Sequence, residues 1–402
     1  MKLGLQMGAR MQELAKQFLK DQKTRNPVVL SPRNAHKKHP VMALTSFASS
    51  IKADTDELLV DPQLYFQGMP KGALADFPHY KAVRGNLKAN LEAVLTELGK
   101  LNDECQTKRF IVPANYQEQL SPEYLASLGV FAQAARPYAA GRPVLLTLAL
   151  SADCLKARES VDMLHATLAD SDCDGVYLVA AHPDRKYLPD NPNWLSNLMS
   201  LVAGIKQMGK LVYVGYENHV ALVLALSGCD AVFSGNFLNT RHFQKSTFIE
   251  NTDSYGRCVT WYYAPRTLSE YRLNSLDLAK NQDVLYLLEP SDTYAKVLFN
   301  PQVMPSDTAY SEKDSFLHYL SSLNQQAKNV SQNTYKDTRT TLENLYMTAA
   351  SSIEGLYDKG IFDQSRTGAS AVRAALQAIT VFHHTWGFIL SQGVAYNQDG
   401  TS

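Results

Sequence analysis

Cysteine is scarce and scattered: five in 402 residues, at Cys105, Cys154, Cys173, Cys229 and Cys258, with no CxxC pair. That spacing excludes a zinc ribbon or knuckle, and an odd, dispersed set reads as reduced thiols in a cytoplasmic protein. Long apolar runs are also missing. The longest, near Leu201–Ile205 and Val220–Leu226, fall far short of the roughly 18–20 residues that span a bilayer, so no membrane contact is expected. The first residues, Met1–Gln17, carry Lys2, Arg10 and Lys16 without a continuous apolar core, which does not fit a secretory signal. Low-complexity tracts and short-period repeats are absent.

Net charge is missing too. Thirty-nine basic residues balance 39 acidic ones, and hydrophobic residues make up 45% of the chain. This composition excludes general disorder and a wholly basic nucleic-acid sleeve. The balance is not local, however. The first 40 residues hold nine basic side chains against Glu13 and Asp21, a net +7. The run SPRNAHKKHP, Ser31–Pro40, contributes the sharpest part of it. It reads as a solvated loop or as a place that steers a phosphate-bearing partner.

Several catalytic signatures are absent. No GxGxxG turn marks a dinucleotide fold, and no HxH or HExxH pattern marks a metal site. Ser234 stands in FSGN, not in a GxSxG elbow, which argues against a serine hydrolase. No cofactor and no metal are therefore expected.

What is present is a rhythm of short apolar runs and longer helical patterns. The runs are Pro27–Ser31, Glu57–Asp61, Arg109–Ala114, Pro143–Leu150, Gly175–Ala181, Lys210–Gly215, Cys229–Phe233 and Cys258–Ala264. Their continuous hydrophobicity means burial on both faces, as in a parallel sheet covered by helices. Eight such units predict an α/β fold, a (β/α)₈ TIM barrel with a C-terminal α-helical extension; an open doubly wound sheet is the other fold with this rhythm. The predicted division is a capping N-terminal helix in residues 1–26, a barrel in 27–290, and a linker with helices in 291–402. Helices are expected over Lys313–Val330, Thr338–Asp358 and Ser370–Gln392, each with an apolar stripe. Those stripes pack on the barrel, or serve a homo-oligomer or protein partner.

Barrel enzymes carry their chemistry where strands end. Asp61 ends an apolar run and is followed by Pro62; a carboxylate there is a candidate acid, base or ligand anchor, or else a brace for its loop. Glu217 is the second candidate acid, its alternative being a rim ion pair with Arg241 or Arg266. Their strands lie across the barrel from each other, which excludes the close carboxylate pair of a retaining glycosidase and suits a wider spacing or a binding role. Arg33, Asn34, Gln63, Tyr65, Asn115, His182, Tyr216, Asn218, Ser234, Asn236, Arg241 and Arg266 are the candidate substrate-binding residues, supplying charge, amides and rings at the strand exits.

Three motifs occur in an order that resembles the tRNA-guanine transglycosylase barrels. VDPQLYFQ places Asp61 where that family has an aspartate acting on the exchanged base. VGYEN, with Gly215–Asn218, stands where the family holds the base, and GCDAVFSGNFLNTR spans Gly228–Arg241. The resemblance implies a pocket for a nucleobase, nucleotide or nucleic acid and chemistry at an N-glycosidic bond, with Asp61 and Glu217 as the carboxylates. The family's nucleophilic aspartate falls near Ser234 here, and its cysteine–histidine zinc site is missing. The competing expectations are a degenerate barrel that binds nucleic acid or a partner through its helical tail, and an unrelated barrel hydrolase or lyase for a small phosphorylated substrate. Against the last stands the lack of a glycine-rich phosphate turn late in the barrel.

Overall fold

A computed structural model describes residues 1–66, 70–249, 259–290, 292–363 and 365–392. Eight parallel strands form a nearly closed barrel: β1 (Lys2–Gln6), β2 (Val28–Leu30), β3 (Leu58–Val60), β4 (Phe110–Ile111), β5 (Val144–Leu150), β6 (Gly175–Ala180), β7 (Leu211–Val214) and β8 (Ala231–Ser234). The hydrogen-bonded order is β3-β2-β1-β8-β7-β6-β5-β4. The Lys108 N–H donates to the Leu58 carbonyl at 3.1 Å across the remaining seam between β3 and β4. This is the TIM barrel expected from the sequence, but its strands are not all the expected ones.

The first strand is Lys2–Gln6, not Pro27–Ser31. It pairs with β2 on one side and with β8 on the other, Leu3 opposite Val232 and Gly4 opposite Phe233. The run KLGLQ holds only two large apolar residues, so its pattern is too short to announce a strand. Gly4 is there for space: a Cβ at this position would stand 2.2 Å from the Phe233 ring. The helix expected to cap the barrel from residues 1–26 is its first outer helix, α1 (Gln12–Gln22). Inside the outer layer follow α2 (Pro40–Ile51), α3 (Pro78–Val83), α4 (Leu91–Cys105), α5 (Pro122–Ala135), α6 (Arg158–Ala169) and α7 (Pro192–Gln207). After β7 the helix is replaced by a 3-10 segment, His219–Ser227, buried at every position.

The expected last strand, Cys258–Ala264, is corrected as well. Cys258 lies outside the described residues. Trp261–Ala264 is a strand, β9, but it pairs antiparallel with β10 (Ser269–Arg272) in a separate hairpin. After β10 the chain forms α8 (Leu273–Asn281). Tyr262, Tyr271, Leu276, Leu288, Leu298 and Ile361 gather into a small core of their own under this hairpin. The chain then returns to the barrel as α9 (Glu312–Val330), which packs on β1, α1 and the His219–Ser227 segment and so takes the place of the eighth outer helix. The helical extension proper is α10 (Tyr335–Tyr357) and α11 (Ala369–Ser391), packed on each other, with α11 also on α7 and α10 on the His219–Ser227 segment. No described helix is long and apolar enough to cross a membrane.

Alternation along the strands sorts the core into two layers. Leu146, Leu148, Val176, Leu178, Val212 and Val232 face the helices, and Val29, Leu59, Leu145, Tyr177, Val179, Tyr213 and Phe233 fill the barrel. Near the strand starts, Glu57 pairs with Arg109 and accepts a 2.7 Å hydrogen bond from Tyr213. Two and four residues on, Leu59 within β3 and Asp61 just after it continue the inward row. The same pleat that fills the barrel with apolar side chains therefore carries Asp61 to the centre of its mouth.

Candidate active site at the barrel mouth

Asp61 has no exposed surface. Its Oδ1 accepts from the Tyr65 hydroxyl at 2.7 Å and from the Gln63 backbone N–H at 3.0 Å, and its Oδ2 accepts from the Tyr216 hydroxyl at 2.7 Å. Burial pushes its carboxyl up to about 6, and these three hydrogen bonds together with nearby Arg33 restrain the rise. Burial and the adjacent carboxylate hold both phenols well above their ordinary value. They therefore stay protonated and act as donors.

The loops that deliver these groups are interlocked. Gln63 Nε2 donates to Ser31 Oγ at 2.8 Å and to the Tyr216 hydroxyl at 2.9 Å, and its Oε1 accepts from the Arg33 N–H at 2.9 Å. Gln63 and Tyr216 both adopt left-handed backbone, with φ of 56° and 61°. Such geometry costs side-chain-bearing residues about 1 kcal/mol or more and survives where surrounding bonds over-determine it. At the same level the Tyr177 hydroxyl donates to Gln6 Oε1 at 3.0 Å, and Gln6 Nε2 has no hydrogen-bond partner. Rings enclose the cluster. Tyr65 meets Phe243 and Phe248 edge-on at 5.1 Å, and Tyr216 lies 5.6 Å from each. Phe66 and Tyr116, 4.8 Å apart, extend the wall.

Arg33 is 7% exposed and belongs to this chamber. Its Nη1 donates to the Thr247 carbonyl at 2.8 Å, and its guanidinium faces Phe248 at 5.5 Å. Gly72, with φ of 76°, lets the next loop pass Arg33 so closely that a Cβ would fall 2.1 Å from the Arg33 carbonyl.

Glu217 sits in a second, separate cluster. It points to His182, whose Nε2 is 3.6 Å from Glu217 Oε2, and not to Arg241 or Arg266. His182 Nδ1 lies 3.1 Å from the carbonyls of Lys186 and Tyr187, so this nitrogen carries a proton. His242 stacks on His182 at 4.6 Å, and burial, with His182 beside it, brings His242 down to about 3. Adjacent residues on two loops thus face two ways: Tyr216 and Phe243 toward Asp61, Glu217 and His242 toward His182.

The remaining expected residues brace the loops. Asn34 donates to Ser31 Oγ at 2.9 Å and to the Met7 carbonyl at 3.3 Å; Asn236 donates to the Ala9 carbonyl at 3.0 Å. Asn218 holds the carbonyls of Tyr187 and Arg241 at 2.7 and 3.3 Å. Asn115 stands half-buried after β4, its carbonyl accepting from Gln117, and Ser234 is buried at the end of β8. Arg241 is not open to a substrate. It lies over the Tyr319 ring at 3.4 Å and pairs with buried Glu270 at 3.6 Å, which also binds Arg366 at 2.7 Å and accepts from Tyr187 at 2.6 Å. Arg266 is away from the mouth, in the hairpin turn, where it donates to Ser352 on α10 at 3.2 Å. Placing it at a strand exit followed from reading β9 as a barrel strand.

Sequence reasoning missed Gln6, Tyr177, Phe243 and Phe248. Gln6 lay in the unrecognised strand; Tyr177 is signalled only by its inward step in GVYLVA. Among the described residues no group of three or more His, Cys, Asp or Glu is placed to hold a metal ion. Compared with known proteins, the chain matches no family model and no curated protein sequence.

Proposed function

We propose that the barrel mouth binds a nucleobase and that Asp61 exchanges a proton with a ring nitrogen of that base while an N-glycosidic bond is cleaved or exchanged. The observation that carries this reading is a buried aspartate, raised to about 6 and gripped by two phenols and an amide, inside a ring of aromatic side chains. A carboxyl half-protonated near pH 6 can both donate to and accept from a heterocycle, and aromatic walls suit a flat partner. The order of the motifs around Asp61, resembling the tRNA-guanine transglycosylases, supports the same substrate class. In place of that family's nucleophile stands Ser234. Glu217, beside His182 in the neighbouring cluster, is assigned as the second carboxylate, taking a proton from an incoming water or base.

Charge around the mouth favours a base presented in a polynucleotide. Arg10, Lys37, Lys38, Lys81, Arg84, Lys88 and Lys245 are exposed on the connections after β1, β2, β3 and β8, which also carry the exposed acids Glu13, Asp21, Asp76, Glu92, Asp103 and Glu104. None of these seven cations is in an ion pair among the described residues, whereas Arg25, Arg136, Arg142 and Arg158 elsewhere all are. Free lysines and arginines on one sector attract phosphates.

The test is release or exchange of labelled base from RNA, DNA and free nucleosides, followed by chromatography. Asp61→Asn is expected to abolish turnover with the fold intact. Turnover by the variant equal to wild type would refute the assignment. A reading of the chain as a non-catalytic scaffold draws on Val381, Phe388 and Ile389, exposed on α11. It predicts self-association or a bound partner that Phe388→Asp removes in sedimentation experiments.

A further inference from the structure

Arg33 presents a chemical incongruity that base recognition alone does not use. Its guanidinium is buried, yet two of its three nitrogens, Nε and Nη2, have no hydrogen-bond partner. These two N–H groups point the same way from the guanidinium plane and form its side-on fork, the edge that receives two oxygens of a carboxylate or phosphate in parallel. The third nitrogen is occupied by the Thr247 carbonyl, and the main chain of Arg33 is fixed by Gln63 and by Ala73, whose N–H donates to the Arg33 carbonyl at 3.0 Å. The fork is thus aimed by three contacts from two loops, those after β3 and β8. No carboxylate among the described residues forms an ion pair with it. The other buried arginine among the described residues, Arg241, is matched by Glu270. Asp61 is near enough to act on Arg33 electrostatically but does not bond to it; a buried cation without a paired anion is costly, and a buried donor without an acceptor adds to that cost.

We propose that the Nε–Nη2 edge of Arg33 is the binding site for an oxyanion, a carboxylate or phosphate group, carried by the aromatic ligand of the barrel mouth. The inference rests on the mouth being the ligand site, and it adds that the ligand is anionic. Phe248, which the guanidinium faces, itself packs against Tyr216 and Phe243 at 5.6 and 5.4 Å, so an anion held by Arg33 keeps its attached ring beside this aromatic cluster.

Three probes with one ring separate the chemistry: phenyl phosphate, benzoate and neutral benzamide, titrated into the full chain by calorimetry. At least one of the two anions is expected to saturate a single site, and benzamide is expected not to bind. Preference for phenyl phosphate assigns a phosphate ester and preference for benzoate a carboxylate. Arg33→Lys keeps the charge and loses the fork, and is expected to weaken the anion on the order of tenfold; Arg33→Gln is expected to weaken it on the order of a hundredfold. If Arg33→Gln fails to fold, the lysine variant carries the comparison. Failure of both anions to bind, equal binding of benzamide, or unchanged affinity in Arg33→Lys would overturn the proposal. The nucleobase reading fails separately: anion binding that needs Arg33, in a protein whose Asp61→Asn variant handles base as wild type does, would leave the oxyanion site standing and remove the base chemistry.

Discussion

The Tyr216 hydroxyl at the exit of β7 donates a 2.7 Å hydrogen bond to Oδ2 of Asp61 at the exit of β3, four strands away around the barrel. One contact therefore spans the mouth. It couples the protonation of the aspartate to the geometry of the opposite wall.

That coupling predicts the behaviour of Tyr216→Phe. The phenol lowers the Asp61 value against the upward push of burial. Its loss should move the Asp61 midpoint above 6 and cost about 1.5–3 kcal/mol of stability, the worth of a hydrogen bond to a charged group. Carboxyl NMR gives the midpoint, and urea unfolding gives the stability.

Asp61 also leaves a signature in stability against pH. Its folded-state value, about 6, is above the ordinary 3.8, so the native state holds a proton that the unfolded chain releases. The native state is favoured below pH ~4, and that advantage disappears as pH rises through ~6, amounting to roughly 3 kcal/mol for a two-unit shift. Asp61→Asn should lack this component. Urea unfolding from pH 4 to pH 8 is expected to show wild type losing stability relative to the variant, and parallel curves would contradict the burial argument.

Glu270 predicts the opposite slope. Burial pushes its carboxyl up, but Arg241 and Arg366, with a hydrogen bond from Tyr187, more than offset this and hold it below the usual range. Its contribution is present above the ordinary value of 4.5 and is lost as pH falls through the lower folded value. Glu270→Gln leaves the buried Arg241 and half-buried Arg366 guanidinium groups without their carboxylate and should cost about 3–5 kcal/mol, measured by thermal or urea unfolding. Because Arg241 belongs to the barrel and Arg366 precedes α11, the loss should also raise amide exchange in the β9–β10 hairpin.

Closure by the N-terminal strand is tested by Gly4→Ala. The added methyl meets the Phe233 ring, and overpacking of this kind costs about 1–3 kcal/mol. Adding Phe233→Leu should recover part of the loss. Independent, additive effects would show that the two side chains do not meet.

Much of this architecture is legible in the sequence, for reasons the structure makes plain. VLLTLAL and GVYLVA are apolar at every step because helices cover one face and the barrel fills the other, so β5 and β6 declare themselves. KLGLQ does not, since its inner row needs a glycine beside Phe233 and a glutamine beside Tyr177. WYYA reads as a barrel strand by composition, but its partner is β10, and local pattern carries no record of which strand pairs with which. The site divides in the same way. Asp61, Gln63, Tyr65, Tyr216 and Arg33 follow from the rule that strand exits bear chemistry. Arg241 obeys that rule in position yet is consumed by Glu270, a contact between residues 29 positions apart that only the fold reveals.

The most direct test of the account is the titration of the Asp61 carboxyl by carbon-13 NMR, in the free protein and with guanine, adenine, cytosine or uracil added. The account predicts a midpoint near 6 in the free protein that shifts when one of these bases binds. A midpoint near 4, or one that no base moves, would contradict it.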